Sequence, residues 1–171
     1  MAHKIRSFIY RLVATTFTLT LLATAAAPAS AGEYAALKGI KGLDSVFDLS
    51  LASPEEAVVV FPAIKEVYED KSVRALPAPP QTVIVFHGGA VKLISTDRKG
   101  FNEKEQAALD KVAEMIRQFK KDGVKMEVCM YAVKALGVDP ATLMPEIDQV
   151  GNGFISVLGY QAQGYSVVTY Q

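Results

Sequence analysis

The chain has 171 residues, 18 acidic and 18 basic side chains, and a single cysteine. This charge balance argues against a nucleic-acid-binding protein, which needs a basic face. One cysteine excludes a disulfide framework within the chain. The length is ordinary for a single domain that follows a short N-terminal targeting segment.

Residues 1–31 have the pattern of a secretory signal peptide, with a basic start and an uncharged apolar run. The run is shorter than the ~20 residues that span a bilayer, so we expect cleavage, with a retained membrane anchor as the alternative. Ala29 and Ala31 form an Ala-x-Ala site that places the cut before Gly32. The protein would then be periplasmic or secreted, with no membrane contact after cleavage. Cleavage removes three basic and no acidic side chains, so residues 32–171 carry a formal charge of −3.

Strand and helix patterns then alternate along the chain. The first long helix begins with Ser53 as N-cap and Glu56 three residues later, and Pro62 inside it predicts a kink or two shorter helices. The second strand is continuously apolar, as expected for a central strand covered on both faces. Asn102 and Glu105 form a second capping pattern. The predicted strands are residues 45–50, 82–86, 124–128, 147–150 and 165–170, and the main predicted helices are residues 53–70, 102–121, 130–136 and 154–163.

This alternation predicts a single α/β domain with three layers, α/β/α, and a mostly parallel sheet of about five strands. Right-handed crossovers bring the carboxyl ends of such strands to one edge of the sheet. Ser50, His87, Cys129 and Val150 should therefore lie near one another. Ligands and chemistry collect at this edge in open α/β sheets.

Cys129 is the candidate catalytic residue, because it lies where a strand passes into a helix. Unpaired N–H groups and the positive end of the helix dipole favour the thiolate, which is the nucleophilic form. We expect a partly exposed thiol, with Lys125, Lys134 or His87 as a cationic neighbour. The alternative is a small buried hydrophobic residue, and solvent access separates the two.

His87 is the one histidine in residues 32–171 and the candidate base for Cys129; alternatively it caps a turn or contacts a neighbouring subunit. Two glycine turns after predicted strands can offer backbone N–H groups to a small anion, although neither completes a nucleotide-binding motif. Such glycines more often simply permit a tight turn. The candidate binding residues are His87, Gly88, Gly89, Asn152 and Gly153.

Neither a metal site nor a bound cofactor is predicted. One cysteine and one histidine cannot supply the three or four close ligands of a zinc site. A thioredoxin-like dithiol needs a second cysteine. The sequence also lacks the G-x-S-x-G signature of a serine hydrolase.

Three segments carry a resemblance to a known family: residues 83–94 (VIVFHGGAVKLI), 124–139 (VKMEVCMYAVKALGVD) and 157–168 (VLGYQAQGYSVV). They make residues 32–171 resemble an exported member of the DsrE/DsrF-like family, which has the YchN-like fold. The resemblance implies a sulfur carrier or sulfur transferase that holds sulfur as a persulfide on Cys129. A donor or acceptor protein would be its partner.

The resemblance also implies a homotrimer or homohexamer. The last predicted helix supports this, because it is apolar most of the way round and needs cover on more than one side. The alternative function is a non-catalytic oligomeric module that binds a small ligand or serves assembly, with Cys129 as a buried structural residue.

Overall fold

The computed structural model describes residues 34–171. The predicted signal peptide and its cleavage site between Ala31 and Gly32 lie outside this range. The strands are β1 (Ser45–Leu49), β2 (Thr82–Phe86), β3 (Lys125–Cys129), β4 (Asp148–Val150) and β5 (Ser166–Tyr170). The helices are α1 (Pro54–Glu69), α2 (Lys71–Arg74), α3 (Ala90–Leu93), α4 (Glu103–Lys121), α5 (Met130–Ala135) and α6 (Gly153–Ala162).

The five strands form one sheet in the order β4-β3-β2-β1-β5, and every pairing is parallel. The predicted α/β class is therefore confirmed. In the register, Asp48 of β1 pairs with Val85 of β2, and Phe86 of β2 pairs with Val128 of β3. Because the strands are parallel, their carboxyl ends share one edge, as the sequence predicts.

Helices cover the two faces of the sheet unequally. Side chains of α1 and α4 pack on one face and build the larger core, which contains Phe61, Phe86 and Phe119. On the other face, α6 packs with Val157 and Tyr160 against the central strands. This second face, called the α6 face below, contains the buried side chains Val46, Val83 and Val85.

Local capping explains where the two long helices begin. At α4, the Asn102 side chain accepts a hydrogen bond from the Glu105 N–H (3.0 Å), and the Glu105 carboxylate accepts one from the Asn102 N–H (2.8 Å). At α1, Ser53 Oγ accepts from the Glu56 N–H at 3.2 Å. Both helices therefore start where the capping patterns predict.

Of the two outcomes expected at Pro62, the division into two helices is wrong, because α1 continues through this residue as one helix. The kink stays a prediction. Pro62 lies on the exposed side of α1. Water can therefore replace the hydrogen bond that the missing N–H would have made. Within residues 34–171, no helix is both long and apolar enough to cross a membrane.

Candidate functional site at the carboxyl edge of the sheet

Cys129 is the last residue of β3 and the N-cap of α5, as its position in the sequence predicts. Its exposed fraction is only 4%. The expectation of a partly exposed thiol is therefore wrong for the single chain. Access to Sγ requires a movement of the residues that cover it.

Gly153 is one of these residues, and it opens α6 directly against Cys129. A Cβ atom at position 153 would lie 3.0 Å from Cys129 Cβ, 3.1 Å from Val85 Cγ1 and 3.6 Å from Cys129 Sγ. The two shorter contacts are tighter than an ordinary Cβ contact, so glycine lets the first turn of α6 reach the thiol without displacing its neighbours. Asn152 caps this turn, with Oδ1 accepting from the Phe154 N–H at 3.0 Å. The thiol thus lies beside the N-terminus of α6 as well as that of α5.

His87 follows β2, and its backbone N–H donates to the Leu49 carbonyl at 2.9 Å, which prolongs the β1–β2 pairing. Its Nε2 forms an ion-pair contact with Asp48 Oδ1. The contact is not a well-aligned hydrogen bond, since both atoms are buried without a hydrogen-bond partner among the described residues. The Phe154 ring meets the imidazole edge-on, with 5.1 Å between the ring centroids.

The structure brings His87 and Cys129 to neighbouring positions on the α6 face. Continuing the β2–β3 register one residue past Phe86 and Val128 puts them opposite each other, on strands about 4.8 Å apart. The consecutive α6 residues Gly153 and Phe154 contact Cys129 and His87 respectively. However, Nε2 of His87 contacts Asp48 of β1, on the side of β2 away from Cys129.

Asp48 is the site residue that sequence reasoning missed. The available signal is an acid between Phe47 and Leu49 in an otherwise apolar strand. Such an acid predicts a buried partner, because an isolated buried carboxylate is costly. The pattern does not identify that partner, which lies on another strand.

Gly88 and Gly89 pack against the loop that follows β1. Gly88 has a positive φ of 51°. A Cβ at position 89 would lie 2.4 Å from the Cβ of Ala52. These glycines therefore permit a tight turn and a close approach of two loops, and their predicted role in anion binding stays a prediction.

A second polar group on the α6 face consists of Glu127, Lys125 and Tyr160, called the Glu127 cluster below. Tyr160 donates a hydrogen bond to Glu127 Oε1 at 2.7 Å, and Lys125 Nζ lies 3.0 Å from the same atom. Burial alone would raise the pKa of Glu127. The nearby Ser156 hydroxyl, which makes no well-formed hydrogen bond with the carboxylate, acts with Tyr160 and Lys125 to lower it below its usual range. Lys125 is thus paired with Glu127, and the other predicted cation, Lys134, lies in the last turn of α5, away from its Cys129 end.

The site therefore combines a buried thiol, an imidazole–carboxylate pair and a helix N-terminus. An imidazole can accept the thiol proton, and a helix N-terminus stabilises negative charge on sulfur. This set of groups therefore suits thiolate chemistry. Among residues 34–171, no three His, Cys, Asp or Glu side chains are grouped so as to hold a metal ion.

The parallel sheet and its thiol-containing edge define an α/β protein with a candidate cysteine site. The model of the DsrE/DsrF-like family matches residues 44–170, and the chain belongs to this family, which confirms the predicted resemblance. Among solved structures, a protein of unknown function from Methanobacterium thermoautotrophicum has a similar fold, with a TM-score of 0.58 and 16% identity over 75% of this chain and 99% of its own. The YchN protein from E. coli gives a TM-score of 0.44 and 13% identity over 77% of this chain and 100% of its own. No curated protein matches the sequence.

Proposed function

We propose that this DsrE-family protein carries sulfur as a persulfide on Cys129, receiving it from a donor protein and passing it to an acceptor. The observation that carries the proposal is the approach of Gly153 to the thiol. A residue without a side chain keeps a ten-residue helix N-terminus against sulfur, where it stabilises negative charge.

The proposed reaction is an exchange at sulfur that needs no metal or redox cofactor. The Cys129 thiolate attacks the outer sulfur of a donor persulfide and forms a new S–S bond. The donor's own S–S bond breaks, and its electron pair leaves with the donor sulfur as a thiolate. Attack by an acceptor thiolate on the outer sulfur of the Cys129 persulfide reverses the roles and regenerates the Cys129 thiolate.

The absence of a second cysteine suits a carrier. A resolving thiol in the same chain would attack the persulfide, release sulfide and form a disulfide. With Cys129 as the single cysteine, this side reaction has no partner within the chain. The sulfur is then held until an external thiol accepts it.

Intact mass spectrometry after treatment with inorganic polysulfide tests the proposal. The folded chain should gain the mass of one sulfur atom and lose it again on addition of a reducing thiol. Cys129→Ser is the matched control and should gain nothing. If the wild-type protein gains sulfur only after denaturation, sulfur carriage by the folded protein is excluded.

The second candidate function is a non-catalytic oligomeric module with Cys129 as a structural residue. Its burial to 4% exposure favours this alternative. So does a cavity of about 540 Å³ at the opposite, amino edge of the sheet, which is lined by Tyr68, Arg74 and Asp122. A folded protein that takes no sulfur but binds a small molecule in this cavity would match this function.

We further propose that the protein acts in the periplasm or outside the cell after removal of residues 1–31. The support is the basic and apolar start with small residues before Gly32. A solitary thiol in such a compartment becomes oxidised unless it is buried or in use. The burial of Cys129 is consistent with this environment.

A homotrimer or homohexamer is proposed as the working form. The support is the outer side of α6, where Phe154, Ile155 and Leu158 are 60%, 69% and 64% exposed. Residues 149–171 also contain no charged side chain. An uncharged segment that exposes large apolar side chains is typical of a surface that another subunit covers.

A further inference from the structure

We infer that Asp48 is a positioning residue for Cys129, acting through His87. The inference rests on the proposed function, because it concerns how the thiol of the sulfur carrier is kept reactive. It assigns a role to a buried acid that lies one strand beyond the histidine and two strands from the cysteine.

The geometry places the three groups on neighbouring strands of the α6 face. Asp48 lies on β1, His87 at the end of β2 and Cys129 at the end of β3, and these strands are neighbours in that order. Asp48 contacts His87 directly, and the first two residues of α6 cover His87 and Cys129. The strand that leads to the histidine therefore lies between the strands of the carboxylate and the thiol.

The Asp48–His87 pair is largely removed from solvent. Both side chains are 13% exposed, and the contacting atoms Oδ1 and Nε2 are buried without a hydrogen-bond partner in the described part of the chain. A carboxylate in such a place fixes the orientation of the neighbouring imidazole ring. The ring is thereby held beside Cys129, where it can act as the base of a thiol–imidazole pair.

The other ionisable groups on the α6 face do not take this role. Lys125 and Glu127 are paired with each other, and Tyr160 donates its hydroxyl to Glu127. Asp148 on β4 is exposed and negative, so it disfavours a thiolate. α6 and β5 contain no charged side chain. Among residues 34–171, His87 is therefore the ionisable side chain of this face that remains for Cys129.

The test is the rate at which iodoacetamide alkylates Cys129 in the folded full chain. Asp48→Asn removes the carboxylate that orients His87 at constant shape and should slow alkylation about tenfold, a part of the roughly 10²–10⁴-fold that a positioned base contributes. His87→Gln should slow it similarly. In the His87→Gln background, Asp48→Asn should cause no further loss, because the aspartate acts only through the histidine. Asp148→Asn is the matched control and should not slow the reaction.

A rate that is unchanged in Asp48→Asn, or an equal loss from Asp48→Asn with and without His87, would overturn the inference.

The wild-type protein provides a second measurement that needs no variant to fold. Its alkylation rate, measured as a function of pH, should show a step that coincides with the titration of His87. NMR follows this titration, and the His87 signal is assigned by its absence in His87→Gln. A profile without that step would also overturn the inference.

These outcomes separate the inference from the proposed function. Normal sulfur uptake from polysulfide with alkylation rates indifferent to Asp48 would refute the inference alone. Coupled alkylation rates without sulfur uptake would refute sulfur carriage and leave the role of Asp48 intact. Alkylation only after denaturation would refute both.

Discussion

Gly153 determines how closely α6 approaches Cys129, and the effect of a single added methyl group can be predicted. Gly153→Ala puts a Cβ 3.0 Å from Cys129 Cβ and 3.1 Å from Val85 Cγ1, both in the interior. Neither neighbour is the end of a long flexible side chain, so α6 or one of these neighbours must move by a few tenths of an ångström. We expect a loss of about 1–3 kcal/mol in the free energy of unfolding, measured by urea denaturation.

Gly159 provides the matched control in the same helix, since no atom lies within 4 Å of a Cβ built there. Gly159→Ala should leave stability unchanged or raise it by up to ~1 kcal/mol, because alanine is the better helix former. If Gly153→Ala proved as stable as Gly159→Ala, the contact between α6 and Cys129 would not be the tight one described above.

At the scale of single residues, sequence reasoning identifies Cys129 and His87 but misses their environment. Both are rare residue types at strand ends, so composition and position suffice to select them. The burial of Cys129 depends on Gly153, and the partner of His87 is Asp48, which lies on a different strand. Such contacts depend on the strand order, which a local pattern does not specify.

At the scale of elements, α6 is joined to β3 by the Glu127 cluster. Glu127→Gln removes the charge that Lys125 and Tyr160 contact, and we expect a loss of about 1–2 kcal/mol in the free energy of unfolding at pH 7. The pKa of Glu127 is lowered in the folded state, so its stabilisation is present above the unfolded pKa and is lost as pH falls through the folded pKa.

The difference in stability between wild type and Glu127→Gln should therefore shrink below the usual carboxyl pKa of 4.5. Urea denaturation at pH 7 and pH 3 measures it. Asp148→Asn is the control, because Asp148 pairs in register with Glu127 but is exposed. A Glu127→Gln effect that is equal at both pH values would mean that the ionised carboxylate is not the stabilising group.

The element bounds follow largely from local signals. The start of α4 at its capping box and the buried strand β2 both depend on nearby residues, and both are predicted correctly. The division expected at Pro62 does not occur, because the effect of a proline depends on which side of the helix faces solvent. The length of α5 is also set locally, since Gly137 takes a φ of 65° just after the helix.

At the scale of the whole molecule, the described domain has one well-covered face and one face covered by α6. Replacing Leu158 by Glu should dissociate the proposed oligomer without unfolding the chain, because a charge cannot be buried unpaired in a subunit interface. Light scattering measures the mass, and circular dichroism checks the fold. Val59→Glu on α1 is the control, since Val59 is 71% exposed on the other side of the sheet. A wild-type protein that remains monomeric at micromolar concentration would refute the proposed assembly.

The strand order has a consequence for the path of folding. Strand β1 lies between β2 and β5, so the first and the last of the described strands pair with each other, Ser45 opposite Ser166. Contacts between residues so far apart in sequence close a long loop and slow folding. A nascent chain still on the ribosome leaves one edge of β1 open until β5 emerges. We expect refolding of this domain to be limited by the β1–β5 pairing, with the edge of β1 as the point at which partly folded chains associate.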